Sequence, residues 1–284
     1  MRSVIVAGQF YEANPRLLEK QIAECFTGKK GPGELPVSKR KGFVLGAICP
    51  HAGYIFSGMC AAWSYKEIGE AEIPDLYIIA APSHTGFGSG ISTDIWQTPL
   101  GEIRVDKKFA EAFMKKSGLK ENELAHVEEH AIEVQLPFLQ FVNKNDINRI
   151  KILPIVLSDD VDYKKLAMDL KETIVETGKK VCFIASSDFT HYGHNYGYVP
   201  FTSDVPERLY KLDADAIKFI IKRDDEGFLK YVYETGATIC GAIPIAFMLR
   251  TVKFSKAELL QYYTSGDIVG DYKSAVGYAS IVFK

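Results

Sequence analysis

Five residues that can bind a metal or transfer a proton lie where predicted elements end. Four of them follow short apolar runs typical of buried strands, and the fifth lies in a turn between two glycines. These residues are His51, His84, Asp188, His191 and Cys240. Because the carboxyl ends of parallel strands gather along one edge of an open α/β sheet, we expect these side chains to meet there.

Two of these histidines, together with the cysteine, could act as ligands of one metal ion. Two imidazoles and a thiolate suit a borderline or soft divalent ion such as iron(II), copper or zinc. Three protein ligands leave coordination positions open, which is typical of a catalytic site. An alternative interpretation is that Cys240 is a small buried apolar residue before a helix, since free cysteines are among the most buried residues.

His191 has the chemistry of a general acid or base, because an unperturbed imidazole has a pKa of about 6.5. Asp188 could orient that imidazole or accept a hydrogen bond from a substrate. The alternative is that Asp188 caps a helix and that His191 is incidental. His130 and Glu133 are interpreted as a polar pair in a cleft wall rather than a second metal site, and the acidic neighbours of His126 predict that it lies on the solvated surface.

Apolar runs alternate with amphipathic segments along the chain, which predicts an α/β fold. We expect a single domain over residues 1–284, with a central, mostly parallel or mixed sheet flanked by helices. Residues 28–42, rich in glycine, proline and lysine, are predicted to form a loop. A helix is expected from about Glu128 to Val142, with a kink or a break at Pro137. Pro154 predicts an edge position or an irregular ladder for the strand at 152–157.

Composition narrows the classes of function. Apolar residues make up 47% of the chain and charged residues 25%, as in ordinary globular proteins. The formal net charge of −2 gives no electrostatic reason to expect nucleic acid or a membrane as partner. The five cysteines lack CxxC spacing, so we expect no disulfide framework and a cytoplasmic location.

Five segments together resemble one protein family. They are PHAGYIFSG (50–58), PSH (82–84), EHAIEVQLPFL (129–139), SSDFTHYG (186–193) and TICGAIP (238–244). Their order and sequence resemble the MEMO family, known as mediator of cell motility in animals and as the Memo protein of the AmmeMemoRadiSam system in microbes. The resemblance extends from AGQFY near the start to SAVGYAS near the end.

The resemblance implies a fold and a ligand set. The family is similar to the class III extradiol ring-cleavage dioxygenases of the LigB type, which are non-haem iron enzymes. Carried over to this sequence, the implied metal ligands are His51, His84 and Cys240. Bound to one metal, their nitrogen and sulfur atoms would lie about 3–4 Å apart, and each imidazole would need an acceptor at its other nitrogen.

The resemblance also implies residues of the cleft and a reaction class. Asp188 and His191 would line the cleft, with Tyr54 and His130 nearby. The dioxygenases hold iron with two histidines and a carboxylate, whereas this chain offers the thiol of Cys240. We therefore expect a metal-dependent oxidoreductase acting on a small molecule, with iron(II) as the first choice of metal and copper or zinc as alternatives.

The alternative function is a non-catalytic module that binds a peptide or a protein in the same cleft. The family resemblance also implies partner proteins of the AmmeMemoRadiSam system. No dense arginine cluster for capturing phosphate is present in the sequence, which favours the enzyme over the module.

Overall fold

The computed structural model describes residues 1–37 and 41–284, so residues 38–40 of the predicted loop 28–42 lie outside the described residues. The strands of the described chain are β1 (Gly46–Cys49), β2 (Leu76–Pro82), β3 (Gly90–Ile91), β4 (Trp96–Thr98), β5 (Gly101–Val105), β6 (Lys151–Leu157), β7 (Val181–Ser186), β8 (His191–Gly193), β9 (Ala257–Thr264) and β10 (Ser274–Phe283). The helices are α1 (Pro15–Thr27), α2 (Tyr54–Glu70), α3 (Lys107–Ser117), α4 (Leu124–Val127), α5 (Gln135–Val142), α6 (Tyr163–Thr177), α7 (Val205–Ile221), α8 (Asp225–Thr235), α9 (Ala242–Thr251) and α10 (Ser265–Val269).

The strands form one mixed sheet, which confirms the predicted α/β class. Its order is β4-β5-β6-β2-β7-β1-β10-β8, with β3 paired to β6 and β9 paired to β10. The central strands β6, β2, β7 and β1 are parallel, and β10 pairs with antiparallel neighbours. Two groups of helices flank the sheet, one of α1, α2 and α5 and the other of α3, α6, α8 and α9. Among the described residues, no helix is long and apolar enough to span a membrane.

Pairing within the sheet brings three strand ends to one edge. Cys49, the last residue of β1, lies opposite Ser186, the last residue of β7. Ala80 of β2 lies opposite Ala185 of the same strand β7. All of these strand residues are buried. The segments that follow β1, β2 and β7 therefore leave the core side by side, as the parallel arrangement predicts.

Strand β6 has an irregular ladder, as Pro154 predicts, but it is not an edge strand. One side of β6 pairs along its length with β2. The other side is shared by two short strands, β5 at Lys151 and Ile152 and β3 at Ile155 and Val156. Pro154 lies between these two pairings, so its missing N–H costs the sheet no ladder bond on that side.

The predicted helix over 128–142 is wrong in its first half. Helix α4 ends at Val127, a run of turns follows, and α5 begins only at Gln135. The Glu129 carboxylate accepts a hydrogen bond from the Ala131 N–H at 2.9 Å, which holds the chain in a turn. Pro137 falls in the first turn of α5, where a helix needs no N–H donor, so it causes no kink.

The prediction that His126 is solvated is also wrong, because its side chain is completely buried. Its Nε2 atom lies 3.2 Å from the Gly90 carbonyl oxygen, and its ring meets the Trp96 ring edge to face. No described residue hydrogen-bonds to its Nδ1 atom. Burial lowers the pKa of His126 to about 4, so the folded protein holds this imidazole neutral.

We expect His126 to make the folded protein sensitive to acid. An unfolded chain protonates this histidine near pH 6.5, whereas the folded chain does so only near pH 4, so its stabilising contribution is present above pH 6.5 and is lost as the pH falls. The two pKa values correspond to about 3 kcal/mol. Urea unfolding at several pH values should show the advantage of wild type over His126→Gln shrinking by about that amount between pH 7 and pH 4.

The matched control is His194→Gln, because His194 is exposed. Its unfolding free energy should follow that of the wild type at every pH. Parallel pH curves for wild type and His126→Gln would contradict a buried neutral imidazole.

Candidate metal centre

Three imidazoles meet where the strand ends converge. His51 follows β1, His84 follows β2, and His130 comes from the turns before α5. One ligand nitrogen from each lies within 4.8 Å of the other two. The rings of His84 and His130 are stacked at 4.9 Å between centroids, and the His51 ring stands nearly perpendicular to both. This group could hold a metal ion.

The tautomer of His51 is fixed by the hydroxyl of Ser186. The Ser186 hydroxyl donates its hydrogen to the Ala131 carbonyl at 2.7 Å and accepts from the Gln135 amide at 2.8 Å. His51 Nδ1, 2.9 Å from the same oxygen, must therefore be the donor in that contact. The Nε2 lone pair of His51 is left for a ligand. Burial, with the positive potential of the neighbouring His130 and His84, holds the pKa of His51 well below its usual value, so the ring is neutral.

Glu129 supports the other two imidazoles and is itself completely buried. Its carboxylate accepts from the His84 backbone N–H at 2.7 Å and lies 3.0 Å from His84 Nδ1. The same oxygen lies 3.5 Å from His130 Nδ1. Burial opposes the imidazolium, but the contact with Glu129 outweighs it and raises the pKa of His84. Glu129 is thus the acceptor that a ligand histidine requires at its second nitrogen.

Cys240 lies beside this group, next to His51. Its Sγ atom is 3.2 Å from His51 Nε2 and accepts a hydrogen bond from the Asp188 N–H at 3.3 Å. Burial raises the pKa of the Cys240 thiol, and the Asp188 carboxylate adds to the shift. Gly241 permits this approach, because a Cβ there would lie 2.4 Å from Ser187 Cβ. Among the described residues, His130 is the one whose ligand atom lies within 4.8 Å of those of both His51 and His84, whereas the Cys240 thiol contacts His51.

Asp188 and His191 both line the cleft, but they do not hydrogen-bond to each other. The Asp188 carboxylate accepts from the backbone N–H groups of His51 at 2.8 Å and Ala52 at 3.4 Å. Burial raises the pKa of the Asp188 carboxyl, and the nearby His191 opposes this shift. His191 Nδ1 lies 3.0 Å from the Thr238 carbonyl and must donate to it. Thr238 therefore orients the imidazole, and Nε2 of His191 is the nitrogen left for proton transfer.

These residues open onto a cleft of about 500 Å³, within the range of small-molecule sites. The side chains of His51, His84, His130, Asp188 and His191 line it. The rest of the lining is mainly apolar, with Phe10, Phe56, Tyr196, Val269 and Tyr278. No lysine or arginine in residues 1–37 or 41–284 contributes to it.

Two of the residues expected at the cleft lie behind it. Tyr54 is buried, its hydroxyl donates to the Val134 carbonyl at 2.7 Å, and its ring packs against Phe138. Cys240 lines a separate cavity of about 350 Å³, together with Ser83 and Ile239. The structure thus brings the expected cleft residues His51, His84, His130, Asp188 and His191 together, with Cys240 in contact from outside.

Sequence reasoning missed Glu129, Ser186 and Thr238. Glu129 stands in an acidic stretch that predicts exposed surface, and only its place directly before His130 points to a role. Ser186 and Thr238 each bind the imidazole of a histidine that is distant in the sequence. Such contacts follow from strand register, which the sequence pattern alone does not define.

Comparison with known proteins shows which family this sequence belongs to. A family model described as Memo-like protein matches residues 2–282. The chain belongs to the Memo family. A MEMO1 family protein of Methanosarcina barkeri is 41% identical and covers 99% of both chains, and one of Methanopyrus kandleri is 38% identical over all of this chain and 99% of its own. A third, from Methanothermobacter thermautotrophicus, is 37% identical over 99% of each chain.

The Memo chain anchors its histidine-bearing turns through a buried ion pair. Arg2 and Glu133 are both almost fully buried and pair directly. Arg2 also donates to the carbonyls of His126 at 3.1 Å and Glu129 at 2.8 Å. The Glu133 carboxylate accepts from the hydroxyl of Tyr11 and from two backbone N–H groups of the N-terminal segment. The first residues of the chain thereby fix the segment that carries Glu129 and His130.

We expect Arg2→Met to destabilise the Memo fold by about 3–5 kcal/mol, because it leaves the buried Glu133 charge without its partner. Chemical denaturation at neutral pH measures the change. The matched control is Arg16→Met, since Arg16 is exposed at the start of α1, and its effect should stay within about 0.5 kcal/mol. Equal stability of Arg2→Met and wild type would show that the pair does not anchor this segment.

Proposed function

We propose that this Memo protein is a metal-dependent oxidoreductase that acts on a small molecule in the cleft. The observation that carries the proposal is His51: Ser186 fixes its tautomer, and its free Nε2 lies 3.2 Å from Cys240 Sγ. A neutral imidazole oriented in this way is ready to ligate a metal. We take His51, His84 and Cys240 as the ligands, with His130 beside them.

The donor atoms fit a borderline or soft divalent ion. His84 Nδ1 meets a buried carboxylate and His51 Nδ1 meets a hydroxyl, so each ring offers its other nitrogen. A sulfur donor from Cys240 favours iron(II), copper or zinc over calcium or magnesium. We propose iron(II) first, as in the dioxygenases that the family resembles. When bound, such an ion would supply the redox chemistry that side chains lack.

The residues around the ion would handle the substrate and its proton. His191 can accept a proton at Nε2 while its Nδ1–H stays on the Thr238 carbonyl. Asp188 keeps the loop that carries His51 in place through two backbone amides. The apolar lining would exclude water from a bound molecule. With no lysine or arginine from the described chain in this lining, an uncharged substrate suits it better than an anion.

The proposal extends to where the protein acts and to its partners. The five cysteines are free, which favours the reducing cytoplasm. The family resemblance supports partner proteins of the AmmeMemoRadiSam system.

Oxygen consumption tests the proposed reaction. Protein purified without oxygen is loaded with iron(II), mixed with a panel of catechols and other small phenols, and then exposed to oxygen. We expect consumption with at least one compound, and a loss of about 10²–10⁴-fold in His191→Gln, which lacks the acid–base group. The matched His194→Gln control alters an exposed histidine and should keep the wild-type rate.

If the wild type consumes oxygen no faster than Cys240→Ala with every compound, the proposed enzyme activity is contradicted. Binding on a peptide array that survives removal of His51, His84 and Cys240 would favour the peptide-binding module instead.

A further inference from the structure

A second cavity lies at the edge of the sheet opposite the candidate metal centre. Its lining includes Leu45, directly before β1, and Val181, the first residue of β7. Ile174 and Val175 of α6 and Val252, directly after α9, continue the lining. This cavity, which we call the α6–α9 groove, has a volume of about 290 Å³ and is almost wholly apolar.

The α6–α9 groove exposes apolar surface to solvent. Val175 is part of this lining, yet it is 80% exposed. Leu45, Ile174 and Val181 are only partly buried. A ligand with an aliphatic part would remove this surface from water, which is favourable in proportion to the area covered.

Positive charge gathers at the rim of the α6–α9 groove. Lys171 and Lys253 line it, and neither makes an ion pair within residues 1–37 and 41–284. Arg223 and Arg250 lie close enough to act on Lys171 electrostatically. Arg250 is neutralised by Asp225 at 3.3 Å and Glu226 at 2.8 Å, whereas Arg223 donates to the Leu249 carbonyl.

The charge around Lys171 is therefore unbalanced. Partial burial, and then the neighbouring Arg223, Arg250 and Lys253, lower the pKa of Lys171. The Asp225 carboxylate opposes this shift without cancelling it. An anion placed between Lys171 and Lys253 would relieve the repulsion and accept charge-assisted hydrogen bonds.

We propose that the α6–α9 groove binds a small amphipathic carboxylate, with an aliphatic chain on the apolar lining and the carboxylate between Lys171 and Lys253. The two lysines favour an anionic head group on the ligand, and the apolar lining favours an aliphatic tail. A volume of about 290 Å³ is at the lower end for ligand sites, so the chain must be short.

Calorimetric titration with sodium octanoate tests the proposal on the full chain. We expect saturable binding that is about tenfold tighter than that of hexanoate, because octanoate buries two more methylene groups. Octanol has the aliphatic tail but no charge, and acetate has the charge but almost no tail. Both should bind much more weakly than octanoate. Chemical shifts of Val175 and Val181 in the presence of octanoate locate the ligand.

Two variants and one control separate this groove from other surfaces. The double variant Lys171→Met and Lys253→Met should weaken octanoate binding at least about tenfold, as expected for lost charge-assisted hydrogen bonds. Val175→Asp should also weaken octanoate binding, because a carboxylate at this 80% exposed position would repel that of the ligand. Lys165→Met, on the same helix and exposed, should bind octanoate like the wild type.

Several results would overturn the proposal. One is the absence of saturable octanoate binding to wild type in the millimolar range. Another is equal octanoate affinity in wild type and in the double lysine variant. Lysine-dependent binding to anionic phospholipid vesicles without binding of free octanoate would assign the groove to a membrane surface instead.

Discussion

Two buried carboxylates, Glu129 and Glu133, set the main physical constraint on this structure. Each would be costly inside the protein unless it were paired and hydrogen-bonded. Glu129 is satisfied by the N–H and the imidazole of His84, and Glu133 by Arg2 and the N-terminal backbone. Because both carboxylates stand in the turns around His130, satisfying them ties the N-terminal segment, those turns and the end of β2 together.

The candidate metal centre depends on that arrangement. The sheet delivers His51 and His84 to one edge, but the orientation of His84 comes from Glu129, and His130 reaches the centre only because the chain forms turns there. On the far side, Ser186 orients His51 and Gly241 lets Cys240 approach. Hydrogen bonds from the surrounding residues thus orient the imidazoles of His51 and His84, as ligand histidines require.

Much of this could be predicted from the sequence. Apolar runs followed by proline or polar residues indicated β1, β2 and β7, and parallel pairing then implied that His51, His84 and Asp188 would meet. The ends of α3 also follow local rules, because Asp106 caps its first turn and the left-handed Gly118 ends it. The predictions that failed depended on contacts between residues distant in the sequence. Acidic neighbours indicated solvent for His126, and apolar spacing indicated helix for 128–142. Arg2, which is distant in the sequence, instead donates to the carbonyls of His126 and Glu129 and pairs with the buried Glu133.

Cobalt(II) titration under anaerobic conditions tests the metal centre most directly, because cobalt reports its ligands by absorption. We expect stoichiometric binding with a thiolate-to-cobalt charge-transfer band in the wild type and in His130→Ala. Binding should be lost in His51→Ala and His84→Ala, and the band should be lost in Cys240→Ala. Binding without the band would replace Cys240 by His130 in the ligand set, and equal binding by wild type and His51→Ala would contradict a metal centre at these strand ends.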